Sequence, residues 1–420
     1  MFGWEFPPFQ AGGLATATVG LVKGLLRNRT DVTLVVPFPA EDSPLPRLKL
    51  VSADGPAQDQ LVVHRIASPM TAYGGAEEYQ EVYSTIQGKA RGTTAVYGSD
   101  LFNEVARYAG LGGAIAAREP HDVIDTHDWI TFAAGIAARK VSGMPLVAHI
   151  HATEFDRAGE GANSDICHRE WEGLTAADRI VANSHALKRI CVERYQVPAT
   201  KIDVVHWGID SDGFELSPPR ETPFAVRGPG AHRRKVPIVL FLGRVTWQKG
   251  PDYFIEMANR VARFVPEAKF IVAGQGDMLP RLIRRSAELG IAGRVHFTGG
   301  VQGRDVHRLY RMADICVMPS VSEPFGLVAL ESLRHGTPCI IPRTAGVAEA
   351  VTNAFKVDFW DVEAMTDQIV ALLRYPDLRA ELSRNGQTEL RSRRFSLEEP
   401  ARLTVESYGR AVASHAGSLT

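Results

Sequence analysis

Short apolar runs alternate with amphipathic, helix-length segments along both halves of this chain, and that alternation restricts the fold more than any other feature. It describes parallel strands joined by crossover helices, in a sheet covered on both faces. In the first half the pattern predicts strands at 32–36, 61–66, 123–126, 146–150, 180–182 and 202–205, with helices at 14–27, 101–116, 130–140 and 186–195. In the second half it predicts strands at 238–242, 269–273, 294–297, 315–318 and 339–341, with helices near 253–264, 279–289 and 328–335. The stretch 217–235 between the halves is rich in Pro, Gly and charge and lacks periodicity, so it reads as a connection and not as a packed element. The expectation is an α/β chain with one domain over 1–215, a linker over 216–235 and a second domain over 236–395. At 420 residues there is enough chain for two ordinary cores.

Composition narrows the function classes. A net charge of −1 supplies no field that would favour nucleic acid or an anionic membrane. No apolar stretch approaches the roughly 20 residues that span a bilayer, and the first ten residues lack the basic start and apolar core of a signal peptide. The four cysteines are scattered without a CxxC pair, which suggests buried thiols in a reducing, cytoplasmic setting. One irregularity stands out. Only residues 1–4 precede the Gly12-Gly13 turn as a first strand, so either that strand is short or the chain begins late.

Two glutamates carry the most chemistry. Glu323 follows an apolar run, and Glu331, eight positions on, lies in a helix that opens near Phe325 or Gly326. A strand, a glycine turn and a helix N-terminus form a phosphate receptor, because unpaired amides and the helix dipole face the anion. The carboxylates cannot bind phosphate, so sugar and ribose hydroxyls are their natural partners. Taken alone, both glutamates read equally well as solvated surface charges. A second segment tips the balance: the apolar run 238–242 ends at Gly243, and its loop carries Arg244 and Lys249 before Pro251 opens a helix. Those cations lie beyond the carboxyl end of a strand, where open α/β sheets bind ligands, and they suit a diphosphate.

Gly243-Arg244, Lys249-Gly250 and the Glu323/Glu331 pair resemble, in type, spacing and order, the donor motifs of the retaining family 4 glycosyltransferases. The opening residues with Gly12-Gly13-Leu14, and His127-Asp128-Trp129, resemble the branch related to glycogen and starch synthases. The resemblance spans roughly residues 1 to 400 and implies a GT-B fold: two Rossmann-like, doubly wound parallel-sheet domains facing across a cleft, with a final helix over 396–420 crossing back to the first domain. It also implies roles. Arg244, Lys249, His151 and Glu323 are the expected catalytic residues; Gly12, Gly13, Phe325, Gly326, Leu327, Val328 and Glu331 the expected donor-binding residues; His127, Asp128 and Asp156 the expected acceptor side. Asp128 reads equally well as the cap of the helix after it. His149, one pleat from His151, is expected to point the other way if the strand continues. Gln10 stands where the synthases carry a lysine, which counts against a simple ADP-glucose polymer synthase. Asp210-Ser211-Asp212 superficially matches a metal-binding DxD, but it follows a segment resembling the family's interdomain stretch, and Trp207 replaces the usual Asn there.

The expected reaction moves a hexose-type sugar from a nucleoside diphosphate sugar to a hydroxyl acceptor, saccharide or small molecule, with retention and with neither metal nor other cofactor. The alternatives are a GT-B sugar phosphorylase, a nucleotide-sugar epimerase using the same cleft, or a non-catalytic nucleotide-binding regulator. Nucleotide base, sugar, acceptor and oligomeric state are not legible in the chain.

Overall fold

The structure, a computed structural model, describes residues 1–6, 13–37, 45, 47–52, 101–210, 225–227 and 233–418. The chain forms two compact units: Met1–Gly208 with Leu397–Thr420, and Ile209–Ser396.

In the first unit the described strands are β1 (Val32–Val36), β2 (Leu48–Ser52), β3 (Ile124–His127), β4 (Leu146–Ile150), β5 (Arg179–Ala182) and β6 (Ile202–Val204). All their pairings are parallel. The segment expected as a short first strand is reduced to single bridges: Phe2 pairs with Val35 on one side and Thr126 on the other. The order across the sheet is therefore β2-β1-Phe2-β3-β4-β5-β6. This is a doubly wound arrangement whose direction of winding reverses between Phe2 and β3. β2 was not foreseen, and the strand expected at 61–66 lies outside the described residues. The helix Glu398–Ser418 packs on this unit. Arg27 pairs with Glu398 at 2.9 Å, Ser407 Oγ donates to Asp203 Oδ2 at 2.7 Å, and Tyr408 Oη donates to Asp125 Oδ2.

The two short strands β7 (Ala225–Arg227) and β8 (Arg233–Lys235) pair antiparallel. The stretch expected to lack packed structure thus contains a ladder, too short at three residues a side to leave a periodic signal.

The second unit contains β9 (Ile238–Leu242), β10 (Lys269–Ala273), β11 (Val295–Gly299), β12 (Ile315–Val317), β13 (Cys339–Pro342) and β14 (Phe355–Val357), in the order β11-β10-β9-β12-β13-β14. These pairings are also parallel. The central strands β9, β12 and β13 read as continuous apolar runs because helices cover both faces. The winding reverses between β9 and β12, so the loops after these two strands flank one crevice.

Candidate functional site

In the second unit the two predicted motifs meet. The loop after β9 turns through the short helix Trp247–Lys249 into Gly250, whose φ of 63° is left-handed. A Cβ there would lie 2.0 Å from the carbonyl oxygen of Pro319, in the loop after β12, so only glycine allows the two loops to touch. Backbone bonds lock them together: Val321 and Ser322 donate their amides to the Gln248 carbonyl at 2.9 and 3.3 Å. Across this seam Lys249 Nζ donates to both Glu323 carboxylate oxygens, at 3.0 and 2.8 Å. Ser320 Oγ donates to Oε2 at 3.0 Å. Arg244 Nη2 donates to the Gln248 side chain at 3.1 Å, which ties the other cation to the same loop.

From Glu323 the chain passes buried Phe325 and reaches Gly326, at φ 112°, the cap of the helix Leu327–Arg334. No side chain caps that end. Leu327 and Val328 open the helix half-buried. The Phe325 and Glu323 carbonyls accept from Val347 and Gly346 at 2.7 and 3.0 Å, which fixes the turn. Glu331, one turn on, accepts a hydrogen bond from Tyr310 Oη at 2.8 Å. Burial raises its carboxyl above the ordinary value, while Tyr310 and Arg334 pull the other way. Gln248, Ser320 and Tyr310, which hold the motif residues, carried no sequence signal of their own.

In the first unit the carboxyl ends of β3 and β4 carry a compact polar cluster. Residues two apart on a strand share a face, and His127 is in register with His149. Asp125, His127 and His149 consequently lie on one face; β4 ends at Ile150, and His151 just past it turns its ring to the same side, 2.8 Å from His127 and with its centroid 6.1 Å from that of His149, so the expectation that His149 would point away from His151 is corrected. His127 Nδ1 and His151 Nε2 are 2.8 Å apart, hydrogen-bonded between rings inclined by 9°. Asp125 sits beneath, Oδ1 at 3.3 Å from His149 Nε2 and Oδ2 at 3.6 Å from His127 Nε2. Burial takes His149 from 6.5 down to about 4, against the pull of Asp125. Burial, His127, His149 and Arg157 together take His151 well below its ordinary value. For Asp125 burial works upward, but His149, His127 and Tyr408 outweigh it and hold the carboxyl well below the usual range. His127, His149 and His151 each offer a ring nitrogen within 4.8 Å of the others, so by composition they are a candidate metal group.

The remaining first-unit candidates serve the frame in this structure. Asp128 is wholly buried at φ 60°, a strained angle for a residue with a side chain. It makes no side-chain cap to the helix Trp129–Ser142; its Oδ1 instead accepts from the His151 amide at 2.7 Å. Asp156 Oδ2 accepts from the Thr153 amide and hydroxyl at 2.8 and 2.7 Å, and so starts the helix Glu154–Ala158. Arg157 stands 3.7 Å from Asp128 and 3.2 Å from the buried Glu170. Asn183 Nδ2 donates to the His151 carbonyl at 2.9 Å. Gly13 begins the helix Gly13–Arg27 with open space around it, whereas Gly12, Gln10 and Asp212 lie outside the described residues. Asp210 is half-buried, and the Trp207 ring stands 5.2 Å from that of His151. Asp125 and Asn183 were missed; the available signal was Asp-x-His facing His-x-His on neighbouring strands.

Comparison with known proteins fits this geometry. Residues 71–212 match the family described as Glycosyltransferase Family 4, and residues 225–389 match the one described as Glycosyl transferases group 1. The chain is 31% identical to a D-inositol 3-phosphate glycosyltransferase of Mycobacterium sp. strain KMS, over 73% of this chain and 71% of that one. It is 28% identical to a glycogen synthase of Mycobacterium tuberculosis, over 84% and 80% of the two chains. Among solved structures, a sucrose-phosphate synthase from Thermosynechococcus elongatus superposes with a TM-score of 0.71 at 19% identity, covering 98% of this chain and 96% of that one.

Proposed function

This chain belongs to the family 4 glycosyltransferases, with the GT-B fold, and from that premise we propose that it transfers a hexose-type sugar from a nucleoside diphosphate sugar to a hydroxyl acceptor, with retention and without a metal. The observation that carries the reading is the Lys249–Glu323 pair on the seam between the loops after β9 and β12. Cleaving the sugar–diphosphate bond concentrates negative charge on the leaving phosphate. Lys249, Arg244 and the amides opening the helix Leu327–Arg334 are suited to stabilise it. Glu323 is assigned to sugar hydroxyls and Glu331, oriented by Tyr310, to ribose hydroxyls. His151 is assigned to a hydroxyl of the sugar or acceptor. With Asp128 and Asp156 engaged by backbone amides, we assign them to positioning the His151 segment ahead of direct acceptor contact.

The acceptor is a carbohydrate or another hydroxylated small molecule. Among the described residues no helix is long and apolar enough to cross a membrane. The four unpaired thiols support a reducing, cytoplasmic setting.

Thermal stabilisation by ADP-, UDP- and GDP-sugars identifies the donor, since a ligand at about 100 times its Kd adds about 2.7 kcal/mol. Transfer assays with the best stabiliser, in the presence of a chelator, then test the reaction, and NMR of the product reads the anomer. An inverted product or chelator-sensitive turnover would overturn the corresponding part of the proposal. Turnover that needs inorganic phosphate and no nucleotide would replace it with a phosphorylase.

A further inference from the structure

The second unit carries an open cavity of about 570 Å³ between the helices Pro251–Phe264 and Leu279–Glu288, beside the turn Trp247–Lys249. Its size falls within the roughly 300–1,000 Å³ of small-ligand sites. Arg244, Lys249, Glu323 and Glu331 do not line it, so it is separate from the crevice assigned to the donor.

The lining is aromatic and charged, yet electrically balanced. Arg281 pairs with Asp252 at 3.0 Å, and Arg285 with Glu256 and Glu288 at 2.7 and 3.2 Å. Arg284, exposed on the same helix, has no ion-pair partner among the described residues. Three guanidinium groups thus face three carboxylates, and their charges sum to zero. Such a lining holds no net charge to capture an ion, but it sets fixed donors beside fixed acceptors. Guanidinium forks and carboxylate oxygens engage neighbouring hydroxyls two at a time. The ion pairs orient these groups in advance, which spares a ligand the cost of ordering them.

Trp247 supplies the apolar counterpart. Its side chain is 49% exposed, whereas Trp4 and Trp129 are buried. The C–H face of a pyranose covers an exposed indole while its hydroxyls turn to the polar rim. The aromatic surface also continues outward. Tyr253, which lines the cavity, meets Phe359 edge-on at 5.2 Å, and Phe359 meets the exposed Trp360 at 4.8 Å. A path of that kind suits a chain of sugar units over a single ring.

We propose that this cavity binds a neutral oligosaccharide, as a carbohydrate site separate from the donor crevice. Trp247 is the stacking platform, and Arg284 and the Arg281–Asp252 pair hold hydroxyls. Trp247 shares its helical turn with Lys249, so a bound chain is tethered within one turn of the proposed catalytic cation. The site itself does not depend on the proposed function; the use of the tether in transfer does. A phosphorylated sugar is the rival ligand. Against it, Asp252, Glu256 and Glu288 stand among the guanidinium groups and repel a phosphate.

Isothermal titration calorimetry of the full chain tests the site, with linear hexaoses of glucose, mannose and galactose and with glucose 6-phosphate as the anionic probe. At least one neutral hexaose should bind saturably, and excess ADP, UDP or GDP should not displace it. Trp247→Ala should weaken that binding at least about tenfold and Arg284→Ala at least about threefold, while Trp247→Phe keeps it within about threefold. No saturable binding of any hexaose up to about 10 mM, or displacement by a nucleotide, would overturn the proposal. So would tighter binding of glucose 6-phosphate, or undiminished affinity in either alanine variant. Should Trp247→Ala not fold, Arg284→Ala, at an exposed position, decides. Hexaose binding without sugar transfer from any nucleotide donor leaves this site standing and removes only the proposed function.

Discussion

The two units share one winding order yet furnish their switch points in opposite ways. The second unit places opposite charges there, Lys249 and Glu323, on loops and partly open to solvent. The first places buried imidazoles beside the Asp125 carboxylate, at the ends of strands, with His149 and His151 held below their ordinary values. A diphosphate arrives with charge and hydration, and only accessible cations and amides can replace that hydration. A hydroxyl carries no charge, so a dry, oriented lone pair suffices to hold it. On the proposed function, the same topology serves a charged diphosphate in one unit and an uncharged hydroxyl in the other.

The sharpest way to break this contrast is Lys249→Ala. It removes the cation and leaves Glu323 with Ser320 alone, and kcat/KM should fall by about 10²–10³. Steady-state kinetics with saturating acceptor check this, and near-normal transfer would remove Lys249 from the chemistry. Next comes Gly250→Ala, which puts a methyl on a left-handed backbone and into the Pro319 carbonyl. A stability loss of about 2 kcal/mol should accompany weakened donor binding, measured by denaturant unfolding and calorimetry. Unaltered donor affinity would show that the loops need not touch.

The neutral side is tested by pH. His149 is depressed from 6.5 to about 4, so its contribution is present above 6.5 and lost as pH falls towards 4. Glu170 is shifted the other way: burial lifts it from 4.5 to about 7 despite Arg157 and Tyr195. Its contribution is full below 4.5 and lost as pH rises towards 7. Between pH 4.5 and 6.5 the Glu170 slope opposes that of His149, while His151 and His335, also held below 6.5, add to the acid-side loss, so wild-type stability should fall as pH falls. Glu170→Gln removes the opposing slope and should steepen the acid limb by on the order of 3 kcal/mol towards pH 4. Denaturant titrations at half-unit pH steps read this; parallel profiles for the two chains would refute it. The smallest effect is expected from Tyr408→Phe, about 1–2 kcal/mol for one hydrogen bond to a carboxylate, again by denaturant unfolding.

The charged half was legible because its residue types are rare in apolar surroundings and its spacing is short. Arg244, Lys249 and Glu323 sit in loops after recognisable strands, and Glu331 lies one turn into a recognisable helix. The neutral half was harder. His127, His149 and His151 stood out, but their shared face depends on the parallel register of β3 and β4, which nothing local encodes. Asp125 was hidden as a polar residue in a strand, and Tyr408, 283 positions away, could not be linked to it without the fold. Core strands such as β9 and β10 matched their expected bounds because burial on both faces leaves uninterrupted apolar runs. β2, with one end in a mixed Leu-Lys-Leu pattern, gave no such run.

The return of helix Glu398–Ser418 to the first unit has a bearing on biosynthesis. The second unit is one unbroken stretch and can condense as soon as it leaves the ribosome, whereas the first is built from segments on both sides of it and must wait for residues made after the second. Until Tyr408 emerges, the Asp125 carboxylate has no phenol to receive. Of the two units, the one begun earlier is therefore completed later.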